Sequence, residues 1–145
     1  MPAIKSNPVR GSLNSMRDMI LSSATPLFTS SLTKRPVPMK PHGDSLVEPD
    51  GSILFFVDGC VLSRVDGRTH RAQLFYANGR ETSYLSVTGN VELVNDPDTI
   101  RGCRNRQTVA GAIADTDVLV KVTPVTAFCW NTRTGELVPL IKPAG

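Results

Sequence analysis

Few residues of this chain have the types and spacing that catalysis or metal binding requires. Cys60, Cys103 and Cys129 are far apart and match no CxxC spacing, and His42 and His70 are equally isolated. A zinc site or a disulfide framework would need closely spaced or evenly paired ligands. No Ser/His/Asp, Cys/His or paired-carboxylate arrangement stands out, and no glycine-rich phosphate loop precedes a helix. Hydrolysis and phosphoryl transfer therefore have no support, and no metal is expected.

One pair of neighbouring residues has the chemistry of an anion site. Ser63 and Arg64 place a hydroxyl beside a guanidinium, whose fork can donate two hydrogen bonds to a phosphate. Taken alone, the pair is equally an ordinary polar feature. The other basic residues are scattered, with a modest concentration at Arg101, Arg104 and Arg106. We interpret this charge as solvated surface, because nucleic-acid binders more often cluster lysine and arginine on one face.

The elements that must position these residues are mainly strands. The run over 83–94 alternates between apolar and polar residues, which predicts a long strand with one face on a core and the other towards solvent or a partner. The apolar positions are Leu85, Val87, Val91 and Leu93, and the polar positions are Ser86, Thr88, Asn90 and Glu92. Gly89 is in phase with the apolar set and predicts a bulge or bend, which lets a strand curve into a barrel.

Composition agrees with a small barrel. The chain has 145 residues, 40% of them hydrophobic and 20% charged, with 11 glycines, 11 prolines and a net charge of +3. A core of this size needs neither disulfides nor metal, and the turn formers suit short strands better than a helical bundle. We expect a loose N-terminal arm over 1–11 and a single domain over 12–145. With no bilayer-length apolar run and no signal peptide, a cytoplasmic location is expected.

The predicted elements succeed one another as helix, hairpin, strand, helical link, hairpin, helix and long strand. They are a helix from residue 12, a hairpin over 25–40, a doubly buried strand over 52–57, one or two helical turns over 60–68, strands over 72–76 and 83–94, a helix over 97–114, a strand over 117–130 interrupted at residue 124, and a last strand over 137–141. Pro36 and Pro38 remove two backbone donors, so the second hairpin strand is an edge or faces a ligand. We predict a mainly β fold, a six-stranded Greek-key split barrel with a few short helices.

The strand that ends at Trp130 places its side chains in two sets. Val125, Ala127 and Cys129 share the face that suits the barrel interior, because they are small and apolar. Thr126, Phe128 and Trp130 share the other face. Two large aromatic residues outside the barrel predict that a partner subunit or a ligand covers them.

Three blocks of the chain have a spacing and order that occur together in one known family. The first block is Asp50-Gly-Ser-Ile-Leu-Phe-Phe56, similar to D-G-x-L-W-F-F. The second is Tyr84-Leu-Ser-Val-Thr-Gly89 with Val91-Glu-Leu-Val-Asn-Asp96, similar to Y-V-S-V-S-G-x-A-E-L-V-D-D. The third is Leu119-Val-Lys-Val-Thr-Pro124 with Ala127, Trp130 and Asn131, similar to L-L-R-V-x-P...A-E-Y-W-D. Over most of residues 19–142 the chain resembles the pyridoxamine 5'-phosphate oxidase-like FMN-binding split barrels, in particular the general stress protein branch.

The resemblance implies a homodimer that holds FMN in a cleft at the subunit interface, with FAD or no flavin as the alternatives. In such proteins a strand like R-P-M contacts the flavin, residues at and after F-F contact its ring and ribityl chain, and a following serine with a lysine or arginine holds the phosphate. Carried over to this chain, the cofactor-binding residues are Arg35, Met39, Phe56, Val57, Ser63 and Arg64, with Tyr84 and Trp130 lining the same cleft. The resemblance identifies no catalytic residue.

Three functional hypotheses remain. The first is a flavin-binding protein, with an oxidoreductase acting through the bound flavin as its enzymatic form. The second is a binding or structural dimer that has lost the flavin; two extra residues in Arg35-Pro-Val-Pro-Met39 and the apolar Val57 in place of the usual threonine favour it. The third, a barrel that binds single-stranded nucleic acid, is disfavoured because the aromatic residues lie mainly in apolar strands rather than among basic residues.

Overall fold

The computed structural model describes residues 6–8, 12–23, 25–34, 37–62, 70–78, 83–109 and 111–143. In these residues the elements are β1 (Ser6–Pro8), α1 (Ser12–Ser22), β2 (Leu27–Ser30), β3 (His42–Val47), β4 (Ile53–Asp58), a 3-10 turn (Gly59–Val61), β5 (His70–Asn78), β6 (Ser83–Leu93), α2 (Pro97–Asn105), β7 (Asp117–Asn131) and β8 (Leu137–Pro143). The prediction of a mainly β fold with short helices is confirmed.

β7 curls the sheet because it pairs with three strands. It runs antiparallel to β6 over almost its whole length, while its first part also pairs with β4 and its last part with β8. One path through the sheet therefore has the order β1-β8-β7-β6-β5-β2, and a branch adds β4 and then β3. Every one of these ladders is antiparallel.

Gly89 marks the bend, as the alternation in β6 predicted. The register between β6 and β7 shifts at Gly89, which pairs with Pro124, so that Val125 is an extra residue in β7. A Cβ atom at position 89 would collide with the backbone carbonyl oxygen of Thr123, so the close approach of the two strands requires glycine. Proline is tolerated at such a bulge, which explains why β7 continues through Pro124 instead of being interrupted.

β4 is buried on both faces, as its continuous apolar run predicted. Its residues Ile53, Phe55 and Val57 face the main core, which Met16 and Ile20 of α1 also join. The opposite face of β4 contributes to a second cluster beneath α2, formed by Leu46, Leu54, Phe56, Cys103 and Leu119. Neither helix within the described ranges is long and apolar enough to cross a membrane.

The predicted second strand of the first hairpin is absent as a strand from the described parts of that stretch, 25–34 and 37–40. Phe28 and Met39 instead exchange two backbone hydrogen bonds, of 2.8 and 2.9 Å, and Thr33 forms an isolated bridge with Leu62. The prolines of this stretch lack N–H donors, which explains why no continuous ladder forms. The bridges nevertheless connect β2 to Met39, and the stretch after β2 to the segment that follows β4.

Three further differences are two strands that the sequence did not predict and the end of one helix. β1 lies inside the predicted loose arm, where Ser6 pairs with Pro143. β3 was not predicted because its stretch is rich in turn-forming residues. Its register shift accommodates Gly43 at φ 70°. β1 and β3 are the two strands, among the described residues, that match no predicted strand. α2 ends at Asn105 rather than near residue 114, because the Asp44 carboxylate takes the N–H and hydroxyl of Thr108 in hydrogen bonds of 2.8 Å.

Candidate functional site

A cavity of about 320 Å³ lies between the segment after β2 and the 3-10 turn after β4. We call it the Met39 cavity, and its lining consists of Thr33, Lys34, Val37, Met39, Cys60 and Val61. A backbone hydrogen bond of 2.8 Å from the Lys34 N–H to the Val61 carbonyl joins its two walls. Most of the described lining residues are apolar, and Lys34 is cationic.

Both walls of the Met39 cavity are anchored in the fold. On one side, Met39 is tied by its backbone to Phe28, whose buried ring packs edge-on against Phe55 with 5.0 Å between centroids. On the other side, the Asp58 carboxylate caps the 3-10 turn by accepting the Cys60 N–H at 2.9 Å. A cavity held by backbone bonds and a packed aromatic pair is largely preformed, as ligand sites usually are.

The structure brings one of the predicted flavin-contacting residues, Met39, to this cavity. The side chains of Phe56 and Val57 are fully buried in different clusters, so any contact they make with a ligand is through their backbone. The Phe56 ring lies beneath α2, with the Arg104 guanidinium carbon 5.2 Å from its centroid. The predicted residues Arg35, Ser63 and Arg64 lie outside the described residues.

Tyr84 and Trp130 meet on the outer face of the sheet. They are partners across β6 and β7, with ring centroids 5.9 Å apart, and Phe75 of β5 stacks on Tyr84 at 5.3 Å. We call these three residues the aromatic ladder. Trp130 is 47% exposed and Phe75 is 37% exposed. The predicted parity of β7 is confirmed, because Val125 and Ala127 are buried in the interior.

Exposed leucines extend the aromatic ladder at both ends. Leu27 of β2 pairs with Phe75, and Leu137 of β8 pairs with Trp130. The result is an apolar band across five strands, of a kind that usually marks an interaction site. Sequence reasoning missed Phe75, although the inward set in β5 leaves it on the outer face. No ladder residue lines the Met39 cavity, so the structure does not bring the two groups of predicted site residues into one pocket.

The polar face of β6 is less exposed than its alternation suggested. Ser86 and Thr88 are half-buried and Glu92 is exposed, but Asn90 is buried. The guanidinium of Arg71 donates to the amide oxygen of Asn90 at 3.4 Å, so a neighbouring strand covers it. Ser86 and Thr88 are uncharged, whereas Glu92 and Arg71 bring formal charges to the end of this face near Asn90.

The concentration of arginines in and after α2 is engaged within the chain. Each of the three contacts a group of its own subunit: Arg101 pairs with Asp98 at 3.3 Å, Arg104 donates to the Ala114 carbonyl at 3.2 Å, and Arg106 pairs with Glu48 at 3.0 Å. Exposed pairs of this kind contribute little to stability.

His42 has a partner that its isolation in the sequence concealed. Its Nδ1 lies 2.8 Å from the buried carboxylate of Asp117, which also accepts the Ala114 N–H at 2.9 Å. The contact fastens the start of β3 to the start of β7. Among the residues that the structure describes, no group of three or more His, Cys, Asp or Glu side chains could hold a metal ion.

The three cysteines differ in their surroundings. None of the three, all of which the structure describes, forms a disulfide: Cys60 is exposed, Cys103 is buried and Cys129 is half-buried. Burial beneath α2 raises the pKa of the Cys103 thiol, and the nearby Arg106 partly opposes that shift. Cys60 is therefore the thiol most open to reagents in solution, and it lies on the wall of the Met39 cavity.

No model of a protein family and no curated protein matches this chain. Solved structures do resemble it. A general stress FMN/FAD binding protein from Xanthomonas citri has a TM-score of 0.60 at 15% identity, over 86% of this chain and 89% of the other. A Clostridium acetobutylicum protein related to general stress protein 26, of the pyridoxinephosphate oxidase family, has a TM-score of 0.54 at 13% identity, over 88% and 92%. General stress protein 26 from Bacillus anthracis has a TM-score of 0.52 at 14% identity, over 88% and 98%. The chain therefore has the fold of these general stress proteins, which is the fold that its sequence blocks predicted.

Proposed function

We propose that this protein binds FMN in the Met39 cavity, in a cleft that a second copy completes. The observation that carries the proposal is the position of the cavity. It lies between the stretch that contains Met39 and the stretch that follows Val57, and the family resemblance implies flavin contacts from both. The FMN/FAD-binding protein from Xanthomonas citri shares the fold, which supports the same assignment.

The lining of the cavity fits the chemistry of a flavin nucleotide. Val37, Met39 and Val61 offer an apolar wall for an aromatic ring system, and Lys34 offers a cation for an anionic group. The predicted phosphate residues Ser63 and Arg64 come shortly after Val61 in the sequence, with Leu62 between. When bound, the isoalloxazine would supply redox chemistry, and the chain would supply binding and orientation. An oxidoreductase acting through bound flavin is the enzymatic form of this proposal.

The aromatic ladder supports the homodimer. Its apolar band would be costly to leave in water, and burial of such area is the usual driving force of association. The adjoining Ser86 and Thr88 are uncharged, so two copies can meet across a two-fold axis without repulsion between like charges. In this arrangement one subunit's ladder lies close to the cleft, as the resemblance implies for Tyr84 and Trp130.

The test is a titration of purified protein with FMN, followed by the flavin absorption bands and by Trp130 emission. We expect saturable spectral change, quenching of Trp130 fluorescence, and a dimer by light scattering at micromolar protein concentration. A monomer would remove the shared cleft. Flavin binding without quenching would separate the ladder from the flavin site.

The second candidate function is a binding or structural dimer without flavin. The specific observation in its favour is that the side chains of Phe56 and Val57 are unavailable to a ligand, because both are fully buried. Val57 also lacks the hydroxyl that the family's threonine offers. A dimer that shows no saturable FMN or FAD binding in the same titration would support this candidate.

A further inference from the structure

We propose that Lys34 is a phosphate-binding residue of the Met39 cavity and makes the cavity prefer FMN to riboflavin. The inference rests on the proposed flavin binding and names a residue that neither the sequence blocks nor the resemblance assigned. FMN and riboflavin share the ring and the ribityl chain and differ in the phosphate. A cation that contacts the phosphate therefore changes the ratio of their affinities.

The backbone of Lys34 is fixed against the opposite wall of the cavity. Its N–H donates to the Val61 carbonyl at 2.8 Å, and the preceding Thr33 bridges Leu62. Leu62 directly precedes Ser63 and Arg64 in the sequence. Lys34 is thus held beside Leu62, the last described residue before the segment that the resemblance implies holds the phosphate.

Within the described ranges, no acidic side chain opposes the charge of Lys34 at the cavity. In the part of the chain that the structure describes, the lining contains no carboxylate and the Lys34 ammonium makes no ion pair. Asp58, the acidic residue closest in sequence to the turn, directs an oxygen at the Cys60 N–H. The remaining described lining residues are mostly apolar. A mostly apolar pocket with a cation at its edge suits an aromatic ligand that carries an anionic group.

The experiment measures the dissociation constants of FMN and riboflavin for the full chain and three variants. Lys34→Gln keeps most of the side-chain length but removes the charge, Lys34→Arg keeps the charge, and Lys142→Gln removes an exposed lysine of β8 as a matched control. We expect Lys34→Gln to weaken FMN binding about tenfold, the effect of one charge-assisted contact, and to leave riboflavin binding unchanged. Lys34→Arg should retain the preference, and added salt should reduce it.

Each outcome decides the matter. An FMN to riboflavin ratio that is the same in wild type and Lys34→Gln would overturn the role of Lys34 while leaving flavin binding intact. Equal weakening of both ligands would likewise overturn it, since the residue would then shape the cavity rather than contact phosphate. If the wild-type chain binds neither flavin, the proposed function fails, and the role of Lys34 fails with it.

Discussion

Tyr84 and Trp130 lie directly opposite each other on β6 and β7, with 5.9 Å between their ring centroids and Phe75 stacked on the far side of Tyr84. Cross-strand aromatic pairs stabilise a sheet by a fraction of a kcal/mol to about 1 kcal/mol each. That gain is small compared with the cost of exposing a large apolar band. We therefore expect the ladder to serve the proposed association rather than the stability of one subunit.

Replacing Trp130 with alanine should separate association from stability. Because the side chain is 47% exposed, we expect Trp130→Ala to lower the free energy of unfolding of a subunit by less than about 1 kcal/mol. If the ladder is the dimer surface, the dimer dissociation constant should rise at least about tenfold. Sedimentation and urea unfolding measure the two quantities. Phe28→Ala is the contrasting control, because loss of a fully buried ring costs about 3–5 kcal/mol.

The exposed thiol of Cys60 gives a chemical probe of the Met39 cavity. We expect a maleimide to label Cys60 rapidly and Cys103 slowly, since only the first is exposed. Saturating FMN should slow the labelling of Cys60, because the ligand would cover the wall on which it lies. Mass spectrometry after timed labelling measures both rates, with Cys60→Ser identifying the site. Labelling at the same rate with and without bound FMN would place the flavin elsewhere.

Two glycines should respond to alanine in opposite directions. Gly89→Ala should lower the free energy of unfolding by about 2 kcal/mol, because its Cβ would collide with the Thr123 carbonyl oxygen in the adjoining strand. Gly102 lies within α2, and an added Cβ there would meet nothing within 4 Å. Gly102→Ala should therefore raise the free energy of unfolding by about 0.5–1 kcal/mol. Urea unfolding of both variants makes the comparison. A loss at Gly102 matching that at Gly89 would contradict the explanation.

Asp96 should make α2 sensitive to acid. Its carboxylate caps the helix by accepting the Thr99 N–H at 3.1 Å, and hydrogen bonds from Thr99 lower the pKa of Asp96 below its ordinary value. A lowered folded-state pKa stabilises the fold above the unfolded pKa, and that contribution disappears as pH falls through the folded pKa. Asp96→Asn keeps a capping group that does not titrate. We therefore expect the stability difference between wild type and Asp96→Asn to shift in favour of the variant on acidification.

The parts of the fold that the sequence predicted are those with an unbroken period. β6 alternates and β4 is continuously apolar, and each was found where the pattern indicated. β3 was missed because a register shift and Gly43 break its pattern. The pairing of His42 with Asp117 was out of reach because 75 residues separate the two in the chain. No local pattern reports a contact of that separation.

The same distinction between local pattern and long-range contact separates the predicted from the unpredicted residues of the candidate site. The outward position of Trp130 followed from strand parity and is confirmed. Phe56 was expected beside the flavin, but parity alone could not indicate that α2 covers its ring. No sequence pattern marks Lys34 as a binding residue. Its candidacy depends on a backbone bond to Val61 that only the folded chain makes.

The three-way pairing of β7 has a consequence for how the chain is made. β4 leaves the ribosome long before Asp117–Asn131 is synthesised, yet β7 is the strand that pairs with it over its whole length. Until β7 emerges, β4 has two apolar faces and an unpaired edge, the kind of surface on which chains aggregate. Pairing between segments so far apart also slows folding. Synthesis of the last third of the chain therefore sets the moment at which the open edge of β4 can be paired.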